Sequence, residues 1–172
     1  MNTNLLNQTV QDLKNYKDSM QHELKNILDY WITYTQDDLH DGFYGKIDHE
    51  NIVYPEAPKG SVLNSRILWA FSAAYNYTGN TEYKKIANRA YEYFTNHFVD
   101  EQFGGVYWTV DYLGNSLDTK KQTYATSFAV YALSEYFKCS ENPEVREEAI
   151  KLYGDILNHS RDKKAGGYFE AF

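Results

Sequence analysis

One cationic side chain, Arg66, lies in a strongly apolar stretch of helical character and has the clearest chemical potential in the chain. A charge among apolar neighbours is costly unless it is paired, so we expect Arg66 to have a specific partner. That partner is either a carboxylate of a neighbouring helix, in a buried ion pair, or a bound ligand whose oxygens the guanidinium holds. The local sequence leaves both alternatives open.

Aromatic side chains are unusually frequent, with 17 Tyr, 9 Phe and 3 Trp. A tyrosine offers a flat apolar surface and a hydroxyl, which suit the CH and OH groups of a sugar, but it also fills helical cores. Tyr124, near the start of an apolar helix, is open to both interpretations. Trp69 and Phe128 are candidates for a cavity wall or for ordinary packing. Trp108, after a double glycine, is either a stacking platform for a sugar ring or a residue that packs its loop.

The five histidines and the single cysteine have no metal-ligand spacing, so no metal site is predicted. His97 and His159 lie at equivalent helix ends, where a cation complements the helix dipole, and we predict a structural role for both. His40 and Asp41 form either a dyad or part of a solvated loop.

Charge and length restrict the possible partners. The formal net charge of −7 over 172 residues disfavours nucleic acid and anionic membranes, because both attract cationic surfaces. We therefore expect a neutral small molecule as the ligand of one domain. The single cysteine, Cys139, excludes an internal disulfide and fits a reducing compartment. The absence of a signal-peptide core and of a membrane-spanning stretch predicts a cytoplasmic protein.

The spacing of apolar residues predicts helices over most of the chain. A long first helix ends near Tyr34, and later helices are predicted at 61–77, 81–98, 122–137 and 143–159. Thr81 is the predicted N-cap of one helix, and Pro143 is the predicted first residue of another. The acidic cluster between the first two helices is predicted to be a solvated helix end or loop, and it consists of Asp37, Asp38 and Asp41.

The chain repeats itself with a period of 62 residues. A shift by this period superimposes identical residues, among them Ser65 and Ser127, Asn80 and Asn142, His97 and His159, Asp100 and Asp162, and the glycine pairs at 104–105 and 166–167. Each unit consists of an apolar inner helix, a short turn, an amphipathic outer helix and a glycine-containing loop, which is typical of helical-hairpin arrays. The length of the unit and the apolarity of the inner helices favour a closed toroid over an open solenoid.

Four stretches in the same order resemble the N-acylglucosamine 2-epimerase and cellobiose 2-epimerase family, and they are Pro58–Ser72, Gly104–Trp108, Lys121–Tyr136 and Gly166–Phe172. The resemblance implies an all-α fold, an (α/α)6 barrel of helical hairpins. This chain supplies a first helix and about two hairpins of such a barrel, in a single domain over residues 1–172. The resemblance further implies a sugar site at one mouth of the barrel, with no cofactor or metal in the chemistry.

The implied reaction is epimerisation at C2 of a reducing-end sugar of the cellobiose or N-acylglucosamine type. It requires acid and base groups on both faces of an enediolate, and a cation or donor for the developing oxyanion. By resemblance Arg66 faces the substrate, Tyr124 contacts it, and the histidines that move the proton lie on helices beyond Phe172. We therefore expect the N-terminal portion of a longer isomerase, inactive by itself, with its catalytic residues unassigned.

Three other functions are compatible with the sequence. An aldose–ketose isomerase shares the fold and the enediolate. An inverting glycosidase needs two opposed carboxylates, and the apolar runs of both inner helices lack one before Glu135. A non-catalytic helical-hairpin module would bind a sugar or a protein, and its uncovered apolar edges would favour self-association.

Overall fold

Five α-helices and one π-helical turn account for most of residues 3–171, the part of the chain that the computed structural model describes. The helices are α1 (Thr3–Tyr34), α2 (Ser61–Thr78), α3 (Thr81–His97), α4 (Thr123–Ser140) and α5 (Pro143–Asp155), and the π-helical turn Ile156–Ser160 follows α5. The predicted helices are thus confirmed, with their ends displaced by a few residues at most.

The chain divides into two units, Met1–Thr35 and Gln36–Phe172. The first unit is the 32-residue helix α1, whose polar side chains pair one turn apart, as Gln8 does with Asp12. The second unit contains both helical hairpins. The single domain that the sequence indicates stays a prediction.

Both hairpins begin their outer helix with the same cap. The side-chain oxygen of Asn80 accepts a 3.0 Å hydrogen bond from the amide of the second residue of α3, and Asn142 does the same at α5. The prediction of Thr81 as N-cap is therefore wrong by one residue, because the amide oxygen of Asn80 already satisfies a free amide of the first turn. Pro143 begins α5 as predicted, at a position where its missing amide costs no hydrogen bond.

The inner helices α2 and α4 pack against each other, and each packs against its own outer helix, α3 or α5. Alanines occupy many buried positions of α4, which lets neighbouring helices approach closely. Burial of each large apolar side chain stabilises the fold by about 1.5–3 kcal/mol. The largest of the fully buried apolar side chains include Leu68, Phe71, Phe94, Phe98, Leu133 and Leu152.

A small antiparallel sheet, which the sequence analysis did not predict, begins immediately before α2. Its strands are β1 (Lys59–Gly60), β2 (Thr109–Val110) and β3 (Ser116–Asp118), in the order β1-β2-β3. Gly60 pairs with Thr109, and 62 residues further along an isolated bridge joins Gln122 to Ala171. The loop of each hairpin therefore runs beside the first turn of its inner helix.

One tight turn occurs three times, after α1, after α3 and after the π-helical turn. Its aspartate accepts hydrogen bonds from two following amides, and its own amide donates to the carbonyl of a glycine, in the pairs Asp37 with Gly42, Asp100 with Gly105 and Asp162 with Gly167. Two consecutive residues of the turn have positive φ, which favours glycine, and they are residues 41–42, 104–105 and 166–167. The repeat therefore extends into the loops.

Asp37 is buried, which corrects the prediction of a solvated acidic cluster. Its carboxylate lies 2.8 Å from the ammonium of Lys59, and both side chains are fully buried. The polarity of the surrounding sequence indicated that Asp37 is exposed to water. Its partner Lys59 lies 22 residues away along the chain, and only the fold brings the two side chains together. Asp38 is 85% exposed, as expected, and pairs with Arg89.

Candidate functional site

An open cleft of about 1050 Å³ lies along the first half of α2 and α4. Its lining residues come from these two helices and from the loop after the π-helical turn, and they are Arg66, Trp69, Ala70, Thr123, Tyr124, Ser127, Phe128, Tyr131, Tyr168, Phe169 and Glu170. The fold thus brings together four of the five side chains that the sequence analysis singled out.

Helical periodicity explains how α4 presents its cleft residues. Tyr124, Ser127, Phe128 and Tyr131 follow at intervals of three, one and three residues, so they share one face of the helix. The alanines at 125, 129 and 132 are buried on the packed face. Because Tyr124 and Tyr131 are about half exposed, the cleft face of α4 is accessible to a ligand.

Arg66 lies on α2, one turn before Trp69 and Ala70, and its side chain is exposed in the cleft. The alternative of a buried ion pair is not what the structure shows, since Arg66 forms no ion pair with a carboxylate of residues 3–171. The two apolar residues that follow it, Ile67 and Leu68, are buried, whereas Arg66 itself is exposed, so its charge keeps its hydration. The guanidinium is therefore available to a ligand.

A continuous series of rings crosses the cleft. Trp69 of α2 stacks on Tyr131 of α4, with ring centroids 5.0 Å apart and planes 14° from parallel. Phe128 meets Tyr131 edge to face at 6.4 Å, and it meets Tyr124 in the same manner at 4.8 Å. Tyr131 was not among the site residues predicted from the sequence, although its spacing of seven residues from Tyr124 places both on one helical face.

The second wall of the cleft is the segment Tyr168–Glu170, which the sequence analysis did not identify as part of the site. Tyr168 and Phe169 are each 54% exposed. The backbone of this segment is held at the first turn of α4, where the amide of Thr123 donates to the carbonyl of Glu170 at 2.9 Å. The repeat offered a signal, because Glu170 is one period after Trp108, a residue that the analysis did single out.

Trp108 does not contribute to the lining of this cleft among the described residues. Its carbonyl accepts hydrogen bonds from the amide and the hydroxyl of Ser61, and its own amide donates to Asp118. The neighbouring Tyr107 lies under the ammonium of Lys121, 4.3 Å from the ring centroid. These contacts agree with the alternative in which this loop packs on the end of the helices.

An ion pair lies directly before the cleft residues of α4. The ammonium of Lys121 is 2.7 Å from the carboxylate of Asp100, and both side chains are largely buried. Burial opposes the ionisation of Asp100, but the hydrogen bonds from Lys121 and from two backbone amides hold its pKa below the usual value. The pair joins the turn after α3 to Lys121, which lies two positions before the first residue of α4.

None of the histidines in residues 3–171 lines the cleft. His97 lies 3.0 Å from the carbonyl of Gly114 and packs against the ring of Tyr93, which fits the structural role expected of it. His40 lies beside Asp37 and Tyr112 instead of forming a dyad with Asp41.

Within the described residues no group of three or more His, Cys, Asp or Glu could hold a metal ion. No helix in that range is long and apolar enough to cross a membrane.

Comparison with known proteins gives one family. The model of the N-acylglucosamine 2-epimerase family matches residues 42–172. Over 90% of its length the chain is 49% identical to a cellobiose 2-epimerase of Bacteroides fragilis, and over 86% it is 40% identical to one of Ruminococcus albus. The chain spans 40% and 37% of the lengths of these two relatives.

Solved structures of similar proteins share the fold. The cellobiose 2-epimerase of Spirochaeta thermophila superimposes on 94% of the chain with a TM-score of 0.89 at 35% identity, and the chain covers 40% of it. The enzyme of Bacillus thermoamylovorans superimposes on 90% with a TM-score of 0.84 at 37% identity. A D-mannose isomerase matches at 22% identity and a TM-score of 0.82, which shows the fold alone. The predicted (α/α)6 class is thereby confirmed, and the chain supplies part of that fold.

Proposed function

The chain belongs to the N-acylglucosamine 2-epimerase family, and from this premise we propose that the protein carrying it epimerises C2 of a reducing-end sugar of the cellobiose type. The observation that carries the proposal is the convergence of Arg66, Trp69, Tyr124 and Phe128 on one cleft. The substrate class follows from the names of relatives that are 36–49% identical to this chain.

Arg66 has the properties that the reaction requires of an oxyanion stabiliser. After the sugar ring opens, a base removes the C2 proton and an acid returns one to the opposite face. Negative charge then develops on the C1 oxygen of an enediolate. Arg66 is the only cationic residue among the described residues that line the cleft, and a guanidinium offers several N–H donors in a planar fork. A fixed donor at the developing charge lowers the barrier of the step.

The rings of the cleft suit a sugar ring for a different reason. The CH faces of a sugar pack on aromatic planes, while the hydroxyls of Tyr124 and Tyr131 can exchange hydrogen bonds with its OH groups. The series from Tyr124 through Phe128 and Tyr131 to Trp69 is longer than one ring contact. Such a surface supports the choice of a disaccharide over a monosaccharide.

We place the acid and the base outside the described residues. No histidine of residues 3–171 lines the cleft, and the chain spans about 40% of the length of its relatives. A complete site would therefore combine the cleft described above with side chains from another part of the protein. The assignment of the proton transfer to histidines, which the resemblance implies, stays a prediction, and so does the cytoplasmic location.

The test uses the full-length protein that carries this chain. Cellobiose is incubated with it in D2O, and NMR follows both deuterium at C2 and the appearance of the C2 epimer. Arg66→Met is the test variant, and Arg66→Lys asks whether charge alone suffices. The matched control is Arg146→Met, since Arg146 is an exposed arginine of α5 that does not line this cleft.

We expect Arg66→Met to lower kcat about 10²- to 10³-fold, the usual cost of removing one oxyanion donor. Arg146→Met should retain the wild-type rate. If the wild-type protein neither exchanges the C2 proton nor forms the epimer, the epimerase proposal fails. A ketose product would instead show an aldose–ketose isomerase, and binding of cellobiose without exchange would show a non-catalytic module.

A further inference from the structure

We infer that Thr123 is a positioning residue that holds the segment Tyr168–Glu170 in place as a sugar-contacting wall of the cleft. The inference rests on the proposed function, because it assigns that wall to the same sugar site. Thr123 is the first residue of α4, and Tyr124 follows it directly on the cleft face.

Four hydrogen bonds link the first residue of α4, the end of the π-helical turn and the wall segment. The hydroxyl of Thr123 donates to the carbonyl of Phe169 at 2.7 Å, and it is also hydrogen-bonded to the hydroxyl of Ser160 at 2.7 Å. The amide of Thr123 donates to the carbonyl of Glu170 at 2.9 Å, and the amide of Phe169 donates to the carbonyl of Ser160 at 2.7 Å. One side chain thus joins a helix start, a helix end and the wall segment.

The preceding repeat shares the amide bond of this clamp, that is, of the hydrogen bonds between Thr123 and the wall segment, but not its hydroxyl bond to Phe169. One period earlier, the amide and the hydroxyl of Ser61 both donate to the carbonyl of Trp108. That loop does not line the cleft in the described part of the chain. The amide bond is therefore common to both repeats. Among the described residues, the hydroxyl bond to the carbonyl one residue earlier is made at Thr123 and not at Ser61, and it is the loop at Thr123 that lines the cleft.

The wall carries groups that a neutral polyhydroxy ligand requires. Tyr168 and Phe169 are about half exposed, and both line the cleft together with residues of α4. Glu170 is the only carboxylate among the described residues that line the cleft, and a carboxylate accepts hydrogen bonds from sugar hydroxyls. Because the segment is exposed on its other sides, its position depends on the few hydrogen bonds at Thr123 and Ser160.

The experiment compares two hydroxyl deletions on one helix in the full-length protein. Thr123→Val removes the clamp hydroxyl and keeps a β-branched side chain of similar volume. Thr126→Val is the matched control, since Thr126 is buried one turn along α4 and, within the described part of the chain, its hydroxyl bonds to the carbonyl of Gln122, the cap residue of the same helix, and not to the wall segment. Thr123→Ser restores the hydroxyl, and Glu170→Gln alters the wall without touching the clamp.

We expect Thr123→Val to raise the KM for cellobiose about 5- to 10-fold with kcat changed less than about 2-fold, because about one hydrogen bond of positioning is lost. Hydrogen exchange of the Phe169 and Thr123 amides should accelerate by a similar factor. Thr126→Val should change neither quantity, Thr123→Ser should match the wild type, and Glu170→Gln should raise KM alone.

Two results would overturn the inference. Unchanged exchange at Phe169 in Thr123→Val would show that the hydroxyl does not position the wall, whatever the catalytic outcome. Faster exchange with an unchanged KM, together with a normal KM in Glu170→Gln, would show that the wall does not contact the sugar. A wild-type protein without C2 exchange refutes the epimerase proposal separately, because the exchange of the two amides is measured without substrate.

Discussion

The two loops that lead into the inner helices each contain an ion pair between an aspartate and a lysine, but the two pairs differ in burial. In the loop before α2, the ion pair of Asp37 with Lys59 is fully buried. In the loop before α4, the pair of Asp100 with Lys121 has exposed fractions of 5% and 12%. The N–O distances are 2.8 and 2.7 Å, so the pairs differ in environment and not in geometry.

The two loops are also held to their outer helices by side chains of opposite charge. Arg89 of α3 donates to the carbonyls of Gly42 and Asp37 in the first loop. In the second loop the carboxylate of Asp155 accepts from the amide of Gly105 at 2.8 Å. The repeat therefore maintains the turn and its lysine, while the contact with the outer helix differs between copies.

Two ion pairs of equal length can therefore contribute differently to the stability of the fold. A buried charge that loses its partner keeps the full cost of its desolvation, whereas a partly exposed charge recovers hydration. The loop before α2 is therefore the one whose integrity depends more strongly on its ion pair. The loop before α4 tolerates more change, although it directly precedes the cleft residues.

The largest expected effect comes from Lys59→Met. This change leaves Asp37 buried without its cation, so we expect the free energy of unfolding to fall by about 3–5 kcal/mol. Urea denaturation followed by circular dichroism measures it. Adding Asp37→Leu should recover part of the loss, because it removes the unpaired charge. A loss below about 1 kcal/mol in the single variant would contradict this assignment.

Lys121→Met should destabilise the protein less. Asp100 and Lys121 are slightly exposed, so water can replace part of the lost interaction, and we expect a loss of about 1.5–3 kcal/mol by the same urea titration. The difference between Lys59→Met and Lys121→Met measures the effect of burial directly. Equal losses would mean that burial does not distinguish the two loops.

The pH dependence of stability should report the same two pairs. Burial raises the pKa of Asp37, but the hydrogen bond from Lys59, the hydrogen bond from a backbone amide and the charge of Lys59 together bring it below the ordinary value of 3.8. The pKa of Asp100 is lowered in the same way, by Lys121 and by backbone amides. A carboxyl with a lowered folded pKa stabilises the fold above its unfolded pKa, and this contribution is lost as the pH falls. Unfolding titrations between about pH 6 and about pH 2 should show this loss, and it should be smaller in Lys59→Met. An equally steep decline in that variant would exclude Asp37 as a source.

The smallest expected effects are at the caps of the outer helices. Asn80→Ala and Asn142→Ala each remove one 3.0 Å hydrogen bond to an amide of the first turn, which should cost about 1 kcal/mol. Thermal denaturation of both variants measures the loss. Since the two caps have the same geometry, a large difference between them would show that the hairpins are less equivalent than the two turns indicate.

Four residues of the site could be identified from residue types, although the complete set of cleft residues could not. The positions of Arg66, Trp69, Tyr124 and Phe128 on apolar helices suggested one ligand site, and the structure places all four on one cleft. Trp108 was a candidate for the cleft wall because it is aromatic, but its carbonyl is hydrogen-bonded to Ser61 at the start of α2, and it does not line the cleft among the described residues. The segment Tyr168–Glu170 was missed because a loop has no periodicity from which its exposed face can be inferred.

The helices and the repeat could be inferred from the sequence alone, because apolar spacing and recurring identities are local or periodic properties of the chain. The family was indicated separately, by the resemblance of four stretches in the same order. Which groups are buried and which side chains meet became known from the tertiary structure. Asp37 was expected in water and lies in the core with Lys59. For Arg66 the local sequence left a buried ion pair and a bound ligand both open, and the side chain is exposed in the cleft. Burial and pairing depend on contacts between residues distant along the chain, and the local pattern of a sequence does not contain those contacts.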